Sequence, residues 1–80
     1  MVYIHEPIFG HRMYSRIIAD SEDELKEFGE LLGLQKEWVI ETPRIHFEVY
    51  STKLQLALNR EKVQYLSLVE FEKLFEELND

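Results

Sequence analysis

The stretch Arg16–Leu34, RIIADSEDELKEFGELLGL, limits the fold more than any other part of the chain, because it carries a strand, a helix start and a helix stop in one run. Ile17, Ile18 and Ala19 form an apolar run without alternation, which suits a strand buried on both faces. Ser21 is the predicted helix N-cap. Its hydroxyl can accept from the Glu24 N–H, and the Glu24 carboxylate can reach back to the Ser21 N–H. Asp20, Glu22, Asp23 and Glu24 sit at the positive end of the helix dipole. Leu25, Phe28, Leu31 and Leu32 recur at helical spacing and predict one apolar face. Gly33 is placed to take the left-handed conformation that ends helices, with Leu34 folding back on Phe28.

The rest of the chain repeats this plan. Val2–His5 predicts a first strand that Pro7 stops, followed by a loop at 8–12 around Gly10. Met13–Ala19 predicts the second strand. Residues 35–41 read either as a strand at Trp38–Ile40 or as a helical turn, and Pro43 ends them. Arg44–Tyr50 alternates Ile45, Phe47 and Val49 against His46 and Glu48, as an extended segment does. Ser51 or Thr52 opens a second helix, with a weaker capping box between Thr52 and Gln55 and an apolar face of Leu54, Ala57 and Leu58. Val63–Leu66 predicts a further strand. Ser67 and Glu70 predict a third capping box, with a staple between Leu66 and Phe71. Leu68, Phe71, Leu74, Phe75 and Leu78 mark the buried side of the last helix. The order β-β-α-(β)-α-β-α predicts an α/β fold: one small domain over residues 1–80, with a mainly parallel sheet of three to four strands and three helices packed on it.

Charge and composition narrow the function. The net charge is −7, and residues 20–30 alone contribute −5 and residues 67–80 a further −4. Acid concentrated on two helices is first a solvated outer face. It disfavours nucleic-acid binding, which needs clustered Lys and Arg. An acidic inhibitor or nucleic-acid mimic is the sharper alternative. With no cysteine, thiolate nucleophiles and Cys-based zinc sites are excluded. No apolar run suits a membrane span and no secretory signal is seen, so a cytoplasmic protein without membrane association is expected. A chain this small is marginal alone, so self-association is expected to help it, burying Trp38 or the aromatic N-terminus.

Motifs for nucleotide, zinc-peptidase and serine-hydrolase chemistry (the Walker loop, G-x-G-x-x-G, H-E-x-x-H, G-x-S-x-G) are absent from the sequence. A dispersed polar set remains. His5, Glu6 and Asp20 fall at predicted strand ends, where α/β sheets bind ligands. Arg16 lies on the second strand. His46 and Glu48, two apart, project from one side of an extended segment. Each has a structural use too: Asp20 as helix-dipole partner, His46 as a buried imidazole on backbone, Arg16 in an ion pair. Asp20, His46 and Glu48 are the catalytic candidates, and could hold a divalent metal or act as acid and base. His5, Glu6 and Arg16 are the ligand-binding candidates. His11 has no evident partner.

Four stretches also resemble the domain of unknown function family 4031, a small uncharacterised family of bacteria and their phages. They are VYIHEP, YSRIIADSEDEL, FGELLGLQKEW and PRIHFEVYSTK, in that order over residues 2–53. The resemblance draws attention to Asp20 and His46 and implies no reaction. The chain departs from the family pattern at His5, where an acid is common, at Arg16, where histidine is frequent, at Phe47-Glu48 for Tyr-Asp, and around Glu61–Lys62, where Gly-Ala is absent.

The reading that follows is a binding module for a protein partner or small polar ligand rather than an enzyme, with its site among His5, Glu6, Arg16, Asp20, His46 and Glu48. A metal-assisted hydrolase or nuclease using His46, Asp20 and Glu48 is the first alternative, and the acidic inhibitor the second.

Overall fold

The structure is a computed structural model and describes residues 1–41 and 44–77. Strands β1 (Val2–His5), β2 (Ile8–Phe9), β3 (Met13–Ala19), β4 (Phe47–Tyr50) and β5 (Val63–Leu66) form one mixed sheet. Helices α1 (Glu22–Leu31), α2 (Ser51–Leu58) and α3 (Leu68–Glu77) pack on it. The strand β3 is central. Its Ile17 faces Ile4 on one edge and Phe47 on the other, and its Tyr14 faces Ile8 and Tyr50. β1 and β2 therefore lie along one edge of β3 and β4 along the other, with β5 outermost beside β1.

The sheet has five strands rather than the expected three to four, and it is mostly antiparallel rather than mainly parallel. β1, β2 and β4 all run antiparallel to β3, and only β5 with β1 is parallel. The first departure is a hairpin: Gly10 N–H to Arg12 C=O (3.3 Å) turns β2 back into β3, so the predicted loop at 8–12 holds a short strand. The second is at residues 35–41, which combine both expected forms. Lys36–Trp38 is a 3-10 turn, and Ile40 then bridges His46 in antiparallel fashion. The crossover through α1 does run parallel to β3, but it lands one position further out, at Ile40. The chain then doubles back and inserts β4 between Ile40 and β3. Pro43 and Leu78 lie outside the described residues.

Strand alternation sorts the core into two layers. Val2, Ile4, Ile17, Ala19, Phe47 and Val49 meet Leu25, Phe28 and Leu32 of α1 and Leu54 and Ala57 of α2. On the opposite face Ile18 meets Phe71 and Phe75 of α3, with Tyr3, Leu66 and Leu74 at the margin. Ile17–Ala19 is thus buried on both sides, as its unbroken apolar run predicts. Leu31, expected on the buried side of α1, is instead exposed.

The end signals hold in most cases. Ser21 Oγ accepts from Glu24 N–H, but the Glu24 carboxylate turns to the Met1 amine rather than to Ser21. The stop of α1 is a Schellman motif: Gly33 has φ +77°, Leu34 N–H reaches Gly29 C=O (2.8 Å) and Gly33 N–H reaches Glu30 C=O (3.0 Å). Lys53 and Arg60 donate to the carbonyls of Leu32 and Leu31, favourable charge at a helix C-terminus. Ser67 and Glu70 form the full capping box of α3. The Thr52 cap does not form. α2 starts at Ser51, and its N-cap is Tyr50, two residues before Thr52; Tyr50 makes no side-chain capping bond.

Candidate functional site

The predicted site residues separate into two groups. His5, Arg16, His46 and Glu48 share the face of the sheet under α3, as the pairing of Arg16 with Glu48 requires. Glu6 and Asp20 sit at its ends.

His5 is fully buried and already uses both ring nitrogens. Between β1 and β2 the register slips by one residue, since Ile4 faces Ile17 but Ile8 faces Tyr14. This bulge takes a backbone partner away from β3. The Arg16 N–H, which points toward β1, donates instead to His5 Nε2 at 2.9 Å. The Glu6 carbonyl can only accept, so His5 Nδ1 carries the proton toward it, at 2.6 Å. The imidazole is therefore neutral. Burial, followed by the Arg16 charge, pushes its pKa below the usual 6.5. No lone pair is left for a metal or for proton transfer.

Arg16 is equally committed. Its guanidinium pairs with Glu72 of α3 and lies over the rings of Phe71 (5.2 Å) and Phe75 (4.8 Å). Glu6 accepts from Leu68 N–H (3.2 Å) at the start of α3. Asp20 accepts from the Tyr3 hydroxyl (3.0 Å), and its carboxyl is held below the usual range chiefly by the Met1 amine, with that hydroxyl helping. Three of the six candidates thus fasten α3 or the bulge, and Asp20 is engaged away from the histidines. Arg44, not among the candidates, also fastens α3. It donates to Leu74 C=O (3.2 Å) and Ala19 C=O (2.6 Å), and burial lowers its pKa. Its position after Pro43 in an alternating segment carries no sign of this.

His46 and Glu48 do come together. His46 is buried, donates from Nδ1 to Arg44 C=O (2.6 Å), and packs edge-on against Phe75. Its Nε2 lies 3.9 Å from Glu48 Oε2 and makes no hydrogen bond. Glu48 is half-buried and accepts from the Tyr50 hydroxyl at 2.8 Å, which raises the Tyr50 pKa. Among the described residues, no group of three His, Asp or Glu is placed to hold a metal ion.

Glu48 also lines a groove of about 550 Å³ with Arg12, Leu34, Trp38, Ile40, Val49, Tyr50, Ser51 and Lys53. This groove follows the outer edge of β4. His46 and Ile40 exchange both backbone bonds at 2.8 Å, so the backbone groups of His46 point away from β3. By strand alternation, the N–H and C=O of Glu48 and the N–H of Tyr50 point the same way. Beyond His46, the turn at Lys36–Trp38 carries the chain off this edge, and among the described residues no strand pairs with it there. Trp38, 52% exposed, walls the gap it leaves. Arg12 lies over the Tyr50 ring at 4.3 Å. Neither Arg12 nor Lys53 has a carboxylate within ion-pair distance among the described residues. At the groove's end Ser51 takes a positive φ of 47°, where the chain turns from β4 into α2. In the sequence Trp38 stands out only as an aromatic that self-association could bury; neither its place in this groove nor the missing neighbour of β4 was legible there.

The family model described as Protein of unknown function (DUF4031) matches residues 2–71, so the chain belongs to that family. No curated protein and no solved structure matches it significantly. Among the described residues no helix is long and apolar enough to cross a membrane.

Proposed function

We propose that this member of the family acts by binding, and that it takes an extended segment of a partner protein along the outer edge of β4. The observation that carries the reading is the interrupted ladder. Ile40 pairs with His46, the chain then leaves, and the next backbone groups of β4 face a groove instead of a neighbour. An extended peptide satisfies such groups by adding a strand, and pockets beside the strand read alternate side chains. Trp38, Ile40 and Leu34 supply apolar wall for one side chain. Arg12 and Lys53, two cations without acid partners among the described residues, favour an acidic residue in the segment.

A second reading, metal-assisted hydrolysis, draws on His46 Nε2, which faces Glu48 and makes no hydrogen bond among the described residues. It requires further ligands, and Asp20, its third residue, is held by Tyr3.

The test is selection of peptides from a random display library on the immobilised protein, followed by binding of labelled peptides in solution. The reading predicts selected peptides with an acidic and an apolar residue in an extended pattern. Binding should fall about tenfold or more in Trp38→Ala, as loss of one buried aromatic contact implies, and persist in Asp20→Ala. Selected peptides that bind Trp38→Ala as tightly as the parent contradict it. A metal-dependent rise in melting midpoint that His46→Ala abolishes would favour the second reading.

A further inference from the structure

The opposite border of the sheet is also open. β5 pairs with β1 and with no other strand among the described residues. Glu6 N–H donates to Leu66 C=O at 3.0 Å, so the backbone groups of Leu66, and by alternation those of Gln64, face β1. Those of Val63 and Tyr65 face outward. Val63 N–H is turned to Arg60 C=O at 3.4 Å, which leaves Val63 C=O and both groups of Tyr65 on the free edge.

Edges of this kind are normally blunted by proline, by charge within the strand, by a bulge or by a covering element. Val63–Leu66 has neither proline nor charge, and its register with β1 is unbroken over four pairs. Tyr65 is 56% exposed on it, with Gln64 exposed beside it. The free groups are self-complementary. If two copies pair antiparallel with Gln64 opposite Gln64, Tyr65 N–H of each donates to Val63 C=O of the other, and the two glutamine amides meet at the two-fold axis. The flanks agree in charge. Arg60 and Lys62, with Glu61 between them, precede the strand, and Glu70, with Glu6 from β1, lies at its far end. An antiparallel pair sets the basic end of one strand toward the acidic end of the other, whereas a parallel pair sets like ends together.

We propose that β5 is a self-association edge, through which two copies of this chain join their sheets about a two-fold axis. The occupant is a second copy rather than an unrelated strand because both the free backbone groups and the flanking charges complement themselves. The contact closes on itself and leaves β4 free at both outer ends of the joined sheet, so it is independent of the peptide reading.

The test is mass determination by sedimentation equilibrium across a concentration series reaching about 1 mM, since a four-residue edge is a small interface and weak association is expected. The parent protein should shift from monomer toward dimer mass. Gln64→Lys, which opposes two like charges at the axis, should remain monomeric. So should Tyr65→Pro, which removes an outward N–H that the β1 ladder does not use. Circular dichroism at low concentration should show both variants folded, and Tyr65→Ala should keep part of the association. A parent that stays monomeric throughout overturns the proposal. So does a Gln64→Lys variant that dimerises as the parent does.

Discussion

The backbone N–H of Arg16 donates to the imidazole Nε2 of His5 at 2.9 Å, so that a side chain stands where a strand would otherwise supply a carbonyl. The cause is the one-residue slip between β1 and β2, which Pro7 accompanies. Arg16 returns the support from its other end, carrying Glu72 and the aromatic rings of α3 over the same face. Two residues that look like site candidates in the sequence thus join the bulge to the last helix.

This arrangement makes stability depend on pH. His5 is neutral in the fold with its pKa lowered by burial, while in the unfolded chain it titrates near 6.5. As pH falls below that value the unfolded chain takes up the proton first, so stability is full above it, declines as pH falls, and levels off once the pH is below the lowered folded-state value. Urea unfolding across this range should show the decline in the parent. His5→Gln, whose amide can accept from Arg16 and donate to Glu6, should lose the His5 contribution while folding. His5→Ala leaves the Arg16 N–H without a partner and should cost about 2–4 kcal/mol. A parent and a His5→Gln variant with the same pH slope would contradict this account.

The Arg16–Glu72 pair should be unequal. Glu72 is 41% exposed and Arg16 only 15%. Glu72→Gln should cost less than about 1 kcal/mol, as exposed ion pairs do. Arg16→Ala also loses the contacts with Phe71 and Phe75, and should cost about 1–3 kcal/mol. A double-mutant cycle by denaturant unfolding measures both. Equal costs would mean that charge alone holds α3.

Gly29 lies within α1, where alanine is the better helix former by about 1 kcal/mol. A Cβ there would come within 2.7 Å of the Phe47 ring. Gly29→Ala should therefore destabilise, by about 1–3 kcal/mol, through overpacking. Thermal unfolding decides the sign. A stabilised variant would show that α1 and β4 are not in close contact.

Local signals in the sequence translated well. The caps at Ser21 and Ser67, the Gly33 stop and the doubly buried Ile17–Ala19 each depend on residues a few positions apart. Strand direction did not, because alternating strands and helices cannot reveal that β4 is inserted after the crossover reaches Ile40. For the site, the shared side of His46 and Glu48 followed from their spacing. The commitments of His5, Glu6, Arg16 and Asp20 did not, since they depend on a register slip and on partners as distant as Glu72 and Leu68. The groove was hidden for the same reason: it exists because Lys36–Trp38 turns away from a strand that lies later in the chain.

Amide hydrogen exchange, followed residue by residue with and without a saturating selected peptide, tests the central claim most directly. An added strand bonds the outward groups of β4. Exchange at Glu48 and Tyr50 should therefore slow on binding, while the amides of Phe47 and Val49, already turned to β3, change little. Peptide binding that leaves Glu48 and Tyr50 unprotected, or that protects a different surface, would contradict capture along the β4 edge.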